Sequence, residues 1–247
     1  SVLMLYLIGI GLRDEKDISL KGLEAVKKSD VVYLENYTSK LSCSLEDLEK
    51  LYGKKIILAD RELVEQKAEE TILKDAQIKN VTFLVIGDVF GATTHVDLML
   101  RAKKSNIKVK IIHNSSILTA VGVVGLELYK YGKTTSIPLE NKDVKAPVEV
   151  INQNKKNGLH TLVLLDLRPD QNKFMTINDA LGYLVKKGLR EELKVVGCAS
   201  IGSENAEIKY GKIEKMIKEK FTQFPQCLII PGDLHFMEEE VLELYKQ

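Results

Sequence analysis

Short apolar runs alternate with amphipathic stretches along the first half of the chain. The runs predict five strands, at 4–8, 31–34, 56–58, 81–86 and 109–112. Ser19 precedes a predicted helix in which Leu20, Leu23 and Val26 share one face. Further helices are predicted at 61–74 and 116–129. Another is predicted to follow the loop after residue 86 and to end at about residue 104. Strands that alternate with helices at this spacing predict a mostly parallel sheet with helices on both faces.

The pattern stops at 133–147, a polar stretch with two prolines, which predicts a connection between domains. We place the boundary so that the domains are 1–135 and 136–247. Beyond the connection, strands are predicted at 161–165, 194–198, 208–210 and 227–230, with helices at 148–156, 176–187, 212–220 and 237–245. Two capping-box spacings, Ser44 with Asp47 and Thr176 with Asp179, mark the beginnings of helices.

Composition excludes several classes of function. With 45% hydrophobic residues the chain can bury a core, and a net charge of +1 gives no general attraction to nucleic acid or anionic membranes. The longest apolar run, near 118–126, is too short to span a bilayer, and no basic leader precedes the first strand. The three cysteines fall in no metal-binding pattern. We therefore expect a cytoplasmic protein with reduced thiols and no metal.

A glycine pair, Gly9 and Gly11, ends the first predicted strand. Such a pair is typical either of a tight turn or of backbone that approaches a ligand closely. A dinucleotide site would need a third glycine that opens a helix directly, but Asp14 and a polar loop follow instead. No P-loop is present in the sequence, so nothing supports the use of a nucleoside triphosphate.

The loop 86–95 follows a fully apolar strand and precedes a helix. Asp88 at the end of that strand could accept hydrogen bonds from a ribose or an amine, or it could simply cap the helix. Gly91 would let a cofactor lie against the backbone, and Thr93 or Thr94 could cap the helix. The third loop, 113–117, also joins a strand to a helix. Three such loops at strand ends predict one crevice for a small polar cofactor.

Longer blocks of sequence match a known family. The matching blocks, in chain order, are 5–12, 17–23, 33–39, 87–95, 113–117, 120–122, 128–133, 157–162, 165–166, 175–176 and 230–235. Over nearly its whole length the chain resembles the diphthine synthases, a branch of the tetrapyrrole-methylase-like S-adenosylmethionine methyltransferases. The variants at 35–37 and 90–91 are closer to eukaryotic members, which resemble diphthine methyl ester synthases.

The resemblance implies an α/β protein of two domains, with a mostly parallel sheet in the first and a mixed sheet in the second. It implies S-adenosylmethionine in the cleft between the domains, S-adenosylhomocysteine as product, a homodimer, and the modified histidine of translation elongation factor 2 as acceptor. The cofactor contacts that it implies by position are Leu12, Asp88, Gly91, Ser116, Ile117, Leu165, Ile201 and Gln226.

Some positions depart from the family pattern. Val89 stands where proline is usual, Ser200 where arginine is usual, and Gln226 where histidine is common. The chain has no tryptophan, so the family's tryptophan-containing segment near the domain connection is missing. These departures keep two other hypotheses open: a methyltransferase of the same fold for a tetrapyrrole or another small molecule, and a module that binds the cofactor without turnover.

Methyl transfer from a sulfonium mainly requires that the reactants be aligned, so we expect no nucleophile of the enzyme to take part. His95, after Gly91, is the candidate catalytic base, with a structural role as the alternative. His235 could touch the acceptor, whereas His113 and His160 are predicted to be structural. Asp166 could hold a substrate amine, or it could serve as a cap or ion-pair partner.

Overall fold

The structure, a computed structural model, describes residues 2–140 and 143–247. Within it the chain forms two compact units, Ser1–Leu118 and Thr119–Gln247. The domain boundary inferred from the sequence, between residues 135 and 136, stays a prediction. Asn141 and Lys142, in the predicted connection, lie outside the described residues.

The first unit is built on a five-stranded sheet in which every pair is parallel. Its strands are β1 Leu5–Gly9, β2 Val31–Glu35, β3 Ile57–Ala59, β4 Val81–Val85 and β5 Val109–Ile112, in the spatial order β3-β2-β4-β1-β5. Along β1 the side chains alternate between two cores, with Leu5 and Leu7 in one and Ile8 in the other. The predicted parallel sheet, covered on both faces, is confirmed.

Among the described residues, six α-helices accompany this sheet. They are α1 Leu20–Lys28, α2 Leu45–Tyr52, α3 Arg61–Glu65, α4 Ile72–Ala76, α5 Val96–Lys104 and α6 Ile117–Ala120, the last of which runs across the division between the units. The Ser19 side chain accepts a hydrogen bond from the Gly22 N–H at 3.0 Å, and Ser44 and Asp47 form the predicted capping box. The predicted face of α1 is wrong at one position, because Leu20 is 81% exposed.

Two long predicted helices are wrong. The stretch 61–74 contains α3, a 3-10 turn at Ala68–Glu70 and the start of α4, because Thr71 has non-helical backbone angles and its hydroxyl donates to the Lys67 carbonyl. The stretch 116–129 contains only α6 and 3-10 turns at Val121–Val124 and Leu128–Lys130. Gly125, with φ of +92°, ends the first of these turns, since a left-handed residue cannot continue a helix.

The second unit has a mixed five-stranded sheet in the order β11-β10-β12-β7-β6, and a two-stranded ribbon of β8 and β9. Its strands are β6 Thr135–Ile137, β7 Thr161–Leu165, β8 Leu167–Arg168, β9 Lys173–Phe174, β10 Lys194–Ala199, β11 Glu207–Lys212 and β12 Gln226–Ile230. Only the β6–β7 pair of the large sheet is parallel. The expected mixed sheet is confirmed. Strand β6, however, lies in the stretch that was predicted to be a connection between domains. It was not predicted because it contains only one buried apolar residue, Ile137.

The helices of the second unit are α7 Ala146–Lys156, α8 Ile177–Lys186, α9 Ile213–Met216 and α10 Phe236–Glu243. As predicted, the Thr176 side chain caps α8 by accepting from the Asp179 N–H. The predicted helix 212–220 is too long, since α9 is a single turn. Buried residues of α7 and α8 pack with those of β7, β10 and β12 in one core.

Candidate functional site

Three loops of the first unit leave the carboxyl ends of β1, β4 and β5, which are neighbours in the sheet. The loops after β1 and β4 are joined by two backbone hydrogen bonds between Gly11 and Gly87, at 3.2 and 2.7 Å. Both glycines have positive φ, +78° and +83°, which residues with side chains rarely adopt. Gly11, one member of the glycine pair noted in the sequence, therefore makes a close approach to Gly87 of the second loop.

Asn114, after β5, connects all three loops. Its side-chain amide donates to the Gly9 carbonyl at 3.2 Å and to the Asp17 carbonyl at 2.9 Å. Its backbone N–H donates to Asp88 Oδ1 at 2.9 Å, and its side-chain oxygen accepts from the Ser115 N–H. Asn114 lies in a block that matches the family, but the sequence alone indicates no role for it, because Gly9 and Asp17 lie about a hundred residues earlier.

Asp88 is a carboxylate whose two oxygens are both engaged. Oδ1 accepts from Asn114 and lies 3.0 Å from His113 Nδ1, while Oδ2 accepts from the Phe90 N–H at 3.2 Å. Burial alone would raise the pKa of Asp88, but these hydrogen bonds outweigh burial and hold the pKa below its usual value. The alternative role of Asp88 as a helix cap is wrong, because His95 occupies the N-cap position of α5.

The threonines of this loop do not cap α5 either. The Thr93 hydroxyl donates to the Val89 carbonyl and accepts weakly from the His95 N–H at 3.4 Å, but the residue before the helix is His95. The predicted capping by Thr93 or Thr94 is therefore wrong, because α5 begins at Val96 and His95 is its N-cap residue.

Gly91 and Ser116 pack directly against each other. A Cβ on Gly91 would lie 2.4 Å from the Ser116 Cβ, so no side chain fits there. A Cβ on Gly87 would lie 3.7 Å from both the Leu12 side chain and the Ser116 backbone. The structure thus brings together Leu12, Asp88, Gly91 and Ser116, with Ile117 directly after Ser116 at the beginning of α6.

The other three predicted cofactor residues lie in the second unit, at one end of its sheet. Leu165 ends β7, Gln226 begins β12 next to it, and Ile201 follows β10, which also pairs with β12. The Gln226 side chain accepts from the Ile177 N–H at 2.8 Å and donates to the Gln223 carbonyl at 2.9 Å. These contacts occupy the Gln226 amide within its own unit. The cofactor roles of all eight residues stay predictions.

His95, the predicted base, is buried. Its side chain is 1% exposed and packs edge-on against the Phe83 ring, with centroids 5.2 Å apart. Its Nε2 lies 3.9 Å from Glu35 Oε2 and has no hydrogen-bond partner among the described residues. This placement in the core of the first unit fits the structural alternative, and the catalytic role stays a prediction.

The remaining predicted polar residues of the second unit serve local structure. His235 is the N-cap of α10, and its Nδ1 accepts from the Met237 N–H at 3.4 Å. The Asp166 carboxylate accepts from the backbone N–H groups of Leu139 and Leu167. Neither of these N–H groups belongs to a helix, so the contacts do not make Asp166 a helix cap, and its role in holding a substrate amine stays a prediction.

A buried polar network in the second unit was missed by sequence reasoning. Glu238 of α10 accepts from the Glu127 and His235 N–H groups and contacts the Lys130 ammonium, while its Oε2 lies 2.7 Å from His160 Nε2. Burial would raise the pKa of Glu238, but these donors lower it to about 2. Burial also lowers the pKa of His160, whose Nδ1 accepts from the Gly232 N–H.

Sequence offers a partial signal for this network. Glu238 is three residues after His235, which is the spacing of a capping box. Each of the three segments that Glu238 joins lies in, or directly beside, a block of sequence that matches the family. No residue pattern, however, indicates that distant segments meet at one carboxylate.

Within residues 2–140 and 143–247, no cluster of three or more His, Cys, Asp or Glu side chains has the arrangement of a metal site. None of the helices in that part of the chain is long and apolar enough to cross a membrane.

Comparisons with known proteins find relatives over nearly the whole chain. The family model described as tetrapyrrole (corrin/porphyrin) methylases matches residues 4–217. A protein of Arabidopsis thaliana named "Probable diphthine methyl ester synthase" is 46% identical, with 98% of each chain covered. The diphthine synthase of Methanocella arvoryzae is also 46% identical, with 97% of each chain covered. A crystal structure of a diphthine synthase superposes with a TM-score of 0.93 at 37% identity, covering 98% of this chain and 96% of the other.

Proposed function

This chain belongs to the tetrapyrrole methylase family, and from that premise we propose that it methylates the modified histidine of translation elongation factor 2. It is a methyltransferase of diphthamide biosynthesis that depends on S-adenosylmethionine. The relatives named diphthine synthase match nearly the full chain, so a tetrapyrrole acceptor is not favoured.

The convergence of three strand-end loops on Asp88 is the observation that supports the cofactor site. Half-buried Leu12 and Ile117 offer apolar surface to a nucleoside base. The ionised Asp88 carboxylate is a hydrogen-bond acceptor suited to ribose hydroxyls or to the amino group of the cofactor. These residues fit S-adenosylmethionine, and we propose that they hold it together with Gly91, Ser116, Leu165, Ile201 and Gln226.

S-adenosylmethionine supplies an activated methyl group on a sulfonium when it is bound. The protein then has to align the acceptor nitrogen with that methyl group and exclude competing water, because alignment alone can lower the barrier by about 7–11 kcal/mol. The residues of the three loops act in this proposal by binding and orientation. A cytoplasmic location, a homodimer and the placement of the cofactor between the two domains belong to the same proposal.

The decisive experiment combines the chain with labelled S-adenosylmethionine and elongation factor 2 that carries the aminocarboxypropyl intermediate. Mass spectrometry of the acceptor peptide then counts methyl groups and separates amine from carboxylate methylation. Unmodified elongation factor 2 is the matched control, and a porphyrin-type substrate tests the alternative acceptor class. Cofactor binding in calorimetry without any methyl transfer would contradict the proposal and favour a binding module.

A further inference from the structure

His113 and Asp88 form a pair beside the proposed cofactor loops. The imidazole Nδ1 lies 3.0 Å from Asp88 Oδ1, and the His113 side chain is 69% exposed. The Phe90 ring lies at a tilt to the imidazole, with centroids 6.3 Å apart. No hydrogen bond to His113 Nε2 occurs within residues 2–140 and 143–247. An exposed imidazole is thus held at one nitrogen and available at the other.

Asp88 determines which nitrogen of His113 carries the proton. An ionised carboxylate can only accept, so the Nδ1 atom must be the donor in this contact. The Asn114 N–H donates to the same carboxylate oxygen, which fixes that oxygen in place. In a neutral imidazole Nε2 then carries the lone pair. This is the arrangement in which a carboxylate orients a histidine for proton transfer.

A group that accepts a proton would serve the reaction of the proposed function, and this inference rests on that function. An acceptor amine that is protonated at neutral pH has no lone pair for attack on a methyl group. We propose that His113, oriented by Asp88, removes this proton. The N–H bond of the ammonium breaks and the proton bonds to Nε2. The freed lone pair forms the new N–C bond while the C–S bond breaks, its electron pair remaining on sulfur. The imidazolium afterwards loses its proton to water.

The other histidine of this region lacks these properties. The His95 side chain is 1% exposed, so a proton taken up there would have to leave through the packed core. His113 can exchange with solvent directly. The sequence alone predicts a structural role for His113, and the contact with Asp88 is the reason for assigning it a role in proton transfer.

The test replaces His113 by alanine and by glutamine in the full chain. Both variants should bind S-adenosylmethionine within about threefold of wild type in calorimetry, while kcat with modified elongation factor 2 falls about 10²-fold. Added imidazole should raise the kcat of His113→Ala at least about tenfold, because it can occupy the vacated space. It should not raise the kcat of His113→Gln. Glu239→Ala, on exposed α10 surface, controls for nonspecific effects of imidazole.

Several results would overturn the inference. A kcat loss below threefold, no rescue by imidazole, or a loss of cofactor affinity at unchanged kcat would each leave His113 as a residue that only supports Asp88. Nitrogen-15 NMR of the ligand-free chain gives a readout that does not depend on activity. Wild type should show the tautomer protonated at Nδ1, and Asp88→Asn should reduce its population. If the wild-type chain methylates no acceptor, the proposed function fails, and the NMR result still decides whether Asp88 orients His113.

Discussion

At the scale of single residues, Asp88 combines a structural role with the cofactor-binding role that we propose for it. Its oxygens accept from two backbone N–H groups and contact His113, yet its side chain remains 16% exposed. Asp88→Ala should weaken S-adenosylmethionine binding about 10- to 100-fold, since a hydrogen bond to a charged group is worth about 1.5–3 kcal/mol. Calorimetry measures the affinity, and Asp88→Asn serves as the control of similar shape. Unchanged affinity in the alanine variant would remove Asp88 from the cofactor site.

His95 differs from Asp88 in that it is buried and its Nε2 has no hydrogen-bond partner among the described residues. His95→Ala should lower kcat by no more than about 10²-fold if alignment dominates over base catalysis. It should also lower the free energy of unfolding, because it leaves a void beside the Phe83 ring. Steady-state kinetics and urea unfolding separate the two effects. A far larger loss of kcat in a variant that is still fully folded would assign the role of catalytic base to His95.

At the scale of elements, close packing between loops explains where glycine is required. A Cβ on Gly9 would lie 2.6 Å from the Gly87 carbonyl oxygen and 3.0 Å from the Asp88 Cα, both of which are backbone atoms. Gly9→Ala should therefore destabilise the protein by about 1–3 kcal/mol and weaken cofactor binding. Urea unfolding and calorimetry measure the two quantities.

Gly182 in α8 provides the matched control, since a Cβ there would meet nothing within 4 Å. Gly182→Ala should be neutral or stabilising by up to about 1 kcal/mol, because alanine favours helix over glycine. Equal destabilisation by both substitutions would show that the close backbone contacts at Gly9 are not the cause of the lost stability.

Elements whose signal is local were predictable from the sequence. Apart from β6, the strands of the two five-stranded sheets follow from short apolar runs, and the caps at Ser19, Ser44 and Thr176 follow from spacing alone. The helix predicted across Thr71 was wrong because periodicity does not report the backbone angles of a single residue. Strand β6 was missed because its three residues pair with β7 rather than follow any pattern of their own.

The candidate site was likewise predictable only in part. The ends of β1, β4 and β5 could be inferred to meet, since parallel strands place their carboxyl ends at one edge. The contacts of Asn114 with Gly9 and Asp17, and of Asp88 with His113, depend on side-chain geometry. Sequence spacing carries no information about such geometry.

At the scale of the whole molecule, the Glu238 network joins three distant segments of the second unit. Glu238→Gln should lower the free energy of unfolding by about 3 kcal/mol near neutral pH, because it leaves the Lys130 ammonium without its anionic partner. Glu239→Gln, one residue along the same helix and exposed, should change it by less than about 0.5 kcal/mol. Urea unfolding compares the three chains.

The effect of Glu238 should depend on pH in a defined direction. Its pKa is lowered from 4.5 to about 2 in the folded chain, so its stabilising contribution is complete above pH 4.5 and disappears as pH falls toward 2. The difference between wild type and Glu238→Gln should shrink over that window. A constant difference from pH 7 to pH 2 would contradict the lowered pKa.

The central position of β1 has a consequence for synthesis on the ribosome. Leu5 pairs with Val81 on one side and with Val109 on the other, so β1 is synthesised well before either of the strands with which it pairs. At a translation rate of about 5–20 residues per second, this apolar segment stays unpaired for several seconds. Nascent chains stalled before β4 should therefore bind chaperones through residues 5–9, and release them once β5 has left the exit tunnel.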